Sequence, residues 1–127
     1  MAAREPEENI MQYALLIHED EKLWDSYTPE QQGEVMQGYA TFSQYLVDND
    51  HMRGGERLQP SHTATTVRVR DGEVALSDGP FAETKEQFGG LYLVDAADLD
   101  EATKLAAMIP TAAAGCVEVR PIWLMED

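Results

Sequence analysis

The chain has 127 residues, enough for one compact domain but not for two. It carries 24 Asp and Glu against 9 Lys and Arg, and the resulting formal net charge of −15 excludes general nucleic-acid binding, because the chain would repel a phosphate backbone. Its 43% hydrophobic content can supply a core without cross-links, and its single cysteine, Cys116, can close no intrachain disulfide.

The first ten residues predict a disordered extension ahead of a single domain over residues 11–127. They are polar and acidic, with Arg4 as the only basic residue, so they lack the basic and apolar regions of a secretion signal. The longest apolar runs, at 13–17 and 105–109, are far shorter than a membrane-spanning helix. We therefore expect a cytoplasmic protein with no membrane partner.

The first strand and the first helix have clear signals. Residues 12–18 predict a central strand, because 13–17 is a continuous apolar run of the kind found in strands covered on both faces. After a loop through Trp24 and Tyr27, Thr28-Pro29-Glu30-Gln31 supplies an N-cap, an N1 proline and an N3 glutamine, so a helix begins there. Its apolar stripe consists of Val35, Tyr39, Phe42 and Leu46.

The second half of the chain predicts a hairpin, two strands and a helix. The β-rich segments 63–69 and 74–77 flank Asp71-Gly72, which favours a type I′ turn. A strand over 91–95 is followed by a helix that begins at Asp98 and ends before Pro110. A last strand is expected over 116–125, at a sheet edge or a bulge because of Pro121.

These elements predict an α+β fold of ferredoxin-like order β-α-β-β-α-β, with an antiparallel sheet, two helices on one face and the hairpin outside a four-stranded core. A short strand over 52–58, before the hairpin, would add one strand to that order. The first and last strands are apolar on both faces, so the face without helices needs a cover. A homodimer with the two sheets packed face to face, a dimeric α/β barrel, is the simplest solution.

The densest group of ionisable residues follows the hairpin, in the run Asp78-Gly-Pro-Phe-Ala-Glu-Thr-Lys-Glu86. Gly79 and Pro80 force a turn there, and four ionisable side chains are presented around and after it. This run is the best candidate site from residue types, and a solvated surface loop is the alternative interpretation.

The run 78–86, followed by Gly89-Gly90, resembles the signature of the YCII-related proteins of the DGPF subfamily. Further blocks in the same order carry the resemblance: 13–17, 54–56, 63–72, 98–102 and 117–121. The resemblance implies a ferredoxin-like fold paired into a dimeric α/β barrel. Related branches include small enzymes to which a His and an Asp are assigned for acid-base or elimination chemistry, and in actinobacteria such genes often lie near alternative sigma factors.

By the resemblance, Asp78 and Tyr39 are the candidate catalytic residues. Asp78 matches the Asp of the motif, and Tyr39 stands where related branches carry the His. A Tyr has a reference pKa of about 10 and a His about 6.5, so proton transfer near neutral pH does not carry over unchanged. The alternatives are a packing role for Tyr39 and a turn-capping role for Asp78.

Five further residues are candidate ligand-binding residues. Glu83 and Lys85 belong to the motif, His18 ends the first strand, and Glu56 and Arg120 are charged residues within blocks that carry the resemblance. No metal is predicted, because adjacent strand residues such as those at 18 and 19 point to opposite faces and the paired Cys/His spacings of structural zinc sites are missing. No cofactor is predicted either, since the sequence has no glycine fingerprint for a nucleotide.

Two functions remain open at this point. The first is a small-molecule-binding protein or enzyme, with a pocket between the first helix and the sheet built around Asp78, Tyr39, Glu56 and Arg120. The second is a non-catalytic dimeric regulatory or protein-interaction module that binds its partner through the acidic surface.

Overall fold

A computed structural model describes residues 10–124, which form a four-stranded antiparallel sheet, a separate hairpin and three α-helices. The strands are β1 (Met11–Glu19), β2 (Met52–Arg57), β3 (Thr65–Arg70), β4 (Glu73–Asp78), β5 (Gln87–Ala96) and β6 (Cys116–Pro121). The helices are α1 (Glu21–Ser26), α2 (Pro29–Asp48) and α3 (Leu99–Ala107), with 3-10 turns at Ser61–Thr63 and Pro110–Ala113. The sheet order is β2-β5-β1-β6, and β3 pairs with β4 outside it.

The predicted central position of the first strand is confirmed, because β1 pairs with β5 on one side and β6 on the other. Tyr13, Leu15 and Ile17 alternate along β1 and are buried on the face that carries the helices. Phe42 and Leu46 of α2 pack against them. Leu105 and other apolar residues of α3 complete the same core, so both long helices cover one face of the sheet.

Both predicted helix starts are confirmed by their caps. The Thr28 side chain accepts a hydrogen bond from the Gln31 N–H, and the Gln31 side chain accepts one from the Thr28 N–H, so α2 begins with a full capping box. At α3, the Asp98 carboxylate accepts from the Glu101 N–H at 2.9 Å. These local signals fix where each helix enters the core.

The predicted loop through Trp24 is wrong in part, because residues 21–26 form the short helix α1. Asp20 caps this helix by accepting a hydrogen bond from the Lys22 N–H at 3.0 Å. At six residues the helix is too short to show an apolar stripe. The segment 52–57 is a strand, as one of the two predicted orders required, and it is an edge strand of the main sheet.

The hairpin is confirmed as a two-stranded unit with a type I′ turn, since Asp71 and Gly72 have φ values of 53° and 79°. Its base is tied by the Gly79 N–H, which donates to the Ala64 carbonyl at 2.7 Å. Val67 lies opposite Leu76, and both side chains are exposed. The hairpin therefore extends away from the core.

The sheet is open, and residues 10–124 contain no closed barrel. On the face away from the helices, the register places Leu16 beside Leu91 and Ala14 beside Leu93, all partly exposed. We call this the open face. The last strand ends at Pro121, on a sheet edge as predicted, and it is shorter than predicted because residues 122–124 do not continue it.

The predicted disordered extension, apart from Ile10, and the last three residues lie outside the described part of the chain. Among the residues that are described, no helix has the length and apolar content needed to cross a membrane.

Candidate functional site

A cavity of about 390 Å³ lies between α2 and the half of the sheet formed by β2, β5 and β1. Trp24 of α1 stands at one side of it. The α2 wall carries residues of three successive turns. The sheet contributes most of β2, the end of β1 and the part of β5 around its glycine pair. Its principal side chains are Ile17, Glu19, Trp24, Val35, Met36, Tyr39, Ser43, Arg57 and Tyr92.

Glycines allow the strands to approach closely beneath this cavity. The β1–β5 register passes from Ile17–Gly90 to His18–Phe88, so Gly89 is an extra residue in β5, a β-bulge. A Cβ at Gly90 would lie 2.9 Å from the Glu56 carbonyl oxygen. A Cβ at Gly89 would lie 3.0 Å from Glu19 Oε2. The Gly-Gly pair therefore makes room for the Glu19 carboxyl and for the β2–β5 pairing.

Glu19 contributes the carboxyl group of the cavity. It ends β1 and follows Ile17 in the alternation that faces the helices, and its side chain forms no hydrogen bond or salt bridge with any other residue in 10–124. Burial raises the pKa of Glu19 above its ordinary value, the positive charge of Arg57 opposes the shift, and the negative charge of Glu21 adds to it. A carboxyl group without a partner, removed in part from water, is suited to bind a ligand or to hold a proton.

Tyr39 lies on the α2 wall, and its hydroxyl hydrogen-bonds with the Thr111 hydroxyl. Burial raises the pKa of Tyr39, the hydrogen bond from Thr111 opposes the shift, and the charge of Glu19 adds to it. Tyr39 is therefore neutral near pH 7. Because Glu19 acts on the titration of Tyr39, the two groups are electrostatically coupled within one cavity.

Two other hydroxyl groups in the cavity form a hydrogen bond with each other. The hydroxyls of Ser43 and Tyr92 are 2.9 Å apart and hydrogen-bonded. The Tyr92 ring meets Phe42 edge-on, with 5.0 Å between the ring centroids. The cavity wall on this side is thus fixed by packing and by one internal hydrogen bond.

Arg57 supplies the positive charge at the exposed rim. Its guanidinium carbon lies 5.3 Å from the centroid of the Trp24 ring, a cation–π contact. Nη1 donates to the Met36 sulfur at 3.7 Å, which is a weak acceptor. Arg57 makes no salt bridge to the carboxylates of residues 10–124, so its charge is available to a bound anion.

The structure brings only two of the predicted site residues to this cavity, Tyr39 and Glu56. The register places the Glu56 side chain with Leu91 on the open face, so Glu56 meets the cavity through its backbone. Asp78, Glu83 and Lys85 line a separate groove beside the 3-10 turn at residues 61–63. Asp78 and Tyr39, the predicted catalytic pair, therefore do not share a cavity within this chain.

His18 and Arg120 lie on the open face of the sheet. His18 Nε2 is 3.9 Å from Glu118 Oε1, and the Arg120 guanidinium forms a salt bridge with the same glutamate. His18 and Lys85 also line a broad groove of about 1010 Å³ on this side. The side chains of the predicted ligand-binding residues thus lie either on the open face of the sheet or in the loop after β4.

The remaining titratable groups form no metal centre, because no three His, Cys, Asp or Glu side chains among residues 10–124 converge closely enough. The exposed Cys116 thiol donates to Glu86 Oε1 at 3.5 Å. Partial loss of hydration raises the pKa of Cys116, and the hydrogen bond to Glu86 and the negative charges of Glu86 and Glu118 raise it further. These neighbours oppose formation of the reactive thiolate.

Several residues of the cavity were not among the predicted site residues, and the sequence signals at these positions differ. Glu19 follows the buried residues of β1 in the two-residue period, so the pattern could have placed it on the helix face. Ser43 lies four residues after Tyr39, on the same side of α2. Arg57 had no such signal, because its position depends on the pairing of β2 with β5.

Residues 11–126 match the model of a family described as the YCII-related domain. An uncharacterized protein of Rhizobium meliloti (strain 1021) is 39% identical over 116 residues, which cover 90% of this chain and 94% of that protein.

Proposed function

The chain belongs to the YCII-related domain family, and from this premise we propose that it binds a small molecule in the cavity between α2 and the sheet. The observation that carries the proposal is the Glu19 carboxyl group, which lines the cavity with no partner among residues 10–124. A cavity of about 390 Å³ is in the size range of small-ligand sites, and a few convergent polar groups in an apolar lining are typical of them.

The chemistry supported by this arrangement is acid-base chemistry at Glu19. Because burial raises its pKa, the carboxyl keeps its proton to higher pH than an exposed glutamate does, which favours general acid and base roles closer to neutral pH. Tyr39 would orient the ligand with its ring. Of the predicted catalytic pair, Tyr39 retains a role in this site. The carboxyl group of the site is that of Glu19 and not that of Asp78, whose catalytic role stays a prediction.

The cavity proposal can be tested with a cavity-blocking variant. Met36 lines the mouth of the cavity, whereas Gln37 next to it is exposed and lies outside the lining. We expect compounds from a small-molecule library that raise the melting temperature of the wild type to lose their effect on Met36→Trp and to keep it on Gln37→Trp. Native mass spectrometry of the purified protein, compared with its denatured mass, reports any retained ligand. No binding compound and no added mass would reject the proposal.

We also propose that two copies pack their open faces together, which would give the dimeric α/β barrel of ferredoxin-like, DGPF-type subunits expected from the sequence. Supporting observations are the order β2-β5-β1-β6 and the partly exposed apolar row of Ala14, Leu16, Leu91 and Leu93. Sedimentation of the wild type should give a dimer and Leu93→Lys a monomer. Val67→Lys, on the exposed hairpin, should remain dimeric, and a monomeric wild type would reject this arrangement.

The alternative, a non-catalytic regulatory or protein-interaction module, is favoured by the net charge of −15. A partner held by exposed carboxylates should dissociate steeply as salt rises, since exposed charges are screened within about 8–10 Å at 0.1–0.15 M ionic strength. A ligand enclosed in the cavity should respond less. Ligand-induced melting shifts that are equal at low and high salt, with no protein captured by the immobilised chain, would reject the alternative.

A further inference from the structure

We infer that the ligand of the helix-side cavity is a small zwitterion with an apolar body, whose cationic group binds Glu19 and whose anionic group binds Arg57. This inference rests on the proposed function, because it names the class of ligand for the same cavity.

The first support is the pair of opposite charges. Glu19 at the end of β1 and Arg57 at the end of β2 line one cavity, and neither forms a salt bridge with the other or with another residue in 10–124. The positive charge of Arg57 favours the charged form of Glu19, and a cationic group bound at Glu19 favours that form further. Two unpaired opposite charges in one cavity are complementary to a molecule that carries both signs.

The second support is that the hydroxyl groups of the wall already have partners. The Tyr39 hydroxyl is bonded to Thr111, and the hydroxyls of Ser43 and Tyr92 are bonded to each other. Between the two charges the lining is therefore apolar or already satisfied. Because an unpaired buried polar group is costly, the middle of the ligand should itself be apolar.

The third support is the aromatic surface at the rim. Arg57 lies over the Trp24 ring, which holds the guanidinium at the mouth of the cavity although the side chain is exposed. An arginine held in this way presents its planar donors to an incoming carboxylate with less loss of conformational freedom. The volume of about 390 Å³ fits a molecule of the size of an aromatic amino acid.

Isothermal titration with four matched probes tests the inference. 4-(Aminomethyl)benzoate and 3-(aminomethyl)benzoate carry both charges across an apolar ring, benzylamine carries only the positive charge, and 4-methylbenzoate carries only the negative charge. We expect at least one zwitterion to bind, and the singly charged compounds to bind at least tenfold more weakly. Glu19→Gln and Arg57→Gln should each weaken the zwitterion at least tenfold, whereas Glu73→Gln and Arg68→Gln on the exposed hairpin should not change it.

The outcomes separate this inference from the proposed function. If the singly charged compounds bind as tightly as the zwitterions, or if Glu19→Gln and Arg57→Gln bind all four probes like the wild type, the zwitterion assignment is overturned. Binding of any library compound that Met36→Trp abolishes would still support the cavity as a binding site. If no zwitterion binds, the assignment is overturned whatever the library shows.

Discussion

The Tyr39 hydroxyl on α2 hydrogen-bonds with the Thr111 hydroxyl in the 3-10 turn after α3, although 72 residues separate them in sequence. Thr111 is buried, with 6% of its surface exposed. Next to Tyr39, Gly38 abuts Pro110 of the same turn so closely that a Cβ would lie 2.9 Å from the proline ring. The middle of α2, and with it the cavity wall, is therefore positioned by the far end of the chain.

Removal of the Tyr39 hydroxyl should test this contact. Tyr39→Phe leaves the buried Thr111 hydroxyl without its partner, so we expect a loss of about 1–2 kcal/mol in the free energy of unfolding. Thr111→Val should cost a similar amount, and the double variant should cost less than the sum of the two. Urea unfolding of the four proteins gives the coupling, and strictly additive losses would show that the two hydroxyls do not interact.

Two glycines of α2 should respond to alanine in opposite ways. A Cβ at Gly33 meets no atom within 4 Å, so Gly33→Ala should raise the free energy of unfolding by about 0.5–1 kcal/mol through helix propensity. Gly38→Ala would press on Pro110 and should lower stability by about 1–3 kcal/mol. Thermal and urea unfolding measure both variants, and an equal gain for the two would contradict the close approach of α2 to the turn.

The ion pair between Arg53 and Asp95 should contribute more to the free energy of unfolding than the pair between Lys104 and Asp100. Arg53 Nη2 lies 2.5 Å from Asp95 Oδ2, and the Asp95 side chain is only 8% exposed. Arg53→Gln removes a positive charge that pairs with this buried carboxylate, so we expect a loss of about 1–3 kcal/mol in the free energy of unfolding. Lys104→Gln, which breaks a pair on α3 with both side chains well exposed, should change stability by less than about 0.5 kcal/mol. Equal effects in chemical denaturation would contradict this ranking.

Glu19 should make stability depend on pH with a definite sign. Since its pKa is raised in the folded state, the folded protein holds that proton more tightly than the unfolded chain, whose glutamates titrate near 4.5. Its contribution to stability is therefore most favourable below about pH 4.5 and is lost as the pH rises through the raised pKa. Relative to the wild type, Glu19→Gln should become more stable between pH 4 and pH 7.

Melting temperatures over that pH range provide the measurement, and Glu73→Gln, at an exposed position of the hairpin, provides the control. Its difference from the wild type should show no comparable rise with pH. A flat or falling difference for Glu19→Gln would mean that burial does not govern the titration of this carboxyl.

Most features of the fold that could be predicted depend on residues that are close together in the sequence. The cap at Thr28, the cap at Asp98 and the Asp71-Gly72 turn act within four residues, so the sequence shows them directly. The central position of β1 followed from apolar residues on both faces. The short helix α1 escaped prediction because one cap, at Asp20, is its main signal.

The cavity could be predicted only in part, because it depends on strand register. Tyr39 was identified from the resemblance and from its place on α2. Glu19 and Arg57 come together through the pairing of β1 and β2 with β5 and through the bulge at Gly89, and no local pattern specifies these relationships. For the same reason the sequence did not show that Asp78 and Tyr39 line different cavities.

The central position of β1 also has a consequence for synthesis on the ribosome. About 70 residues separate the end of β1 from the start of β5, and β6 comes later still. At roughly 5–20 residues per second, β1 waits roughly 4–14 s for its first strand partner. During that interval α2 can cover only one of its two apolar faces. The residues 13–17 are thus the part of the nascent chain most exposed to chaperones and to wrong strand pairing.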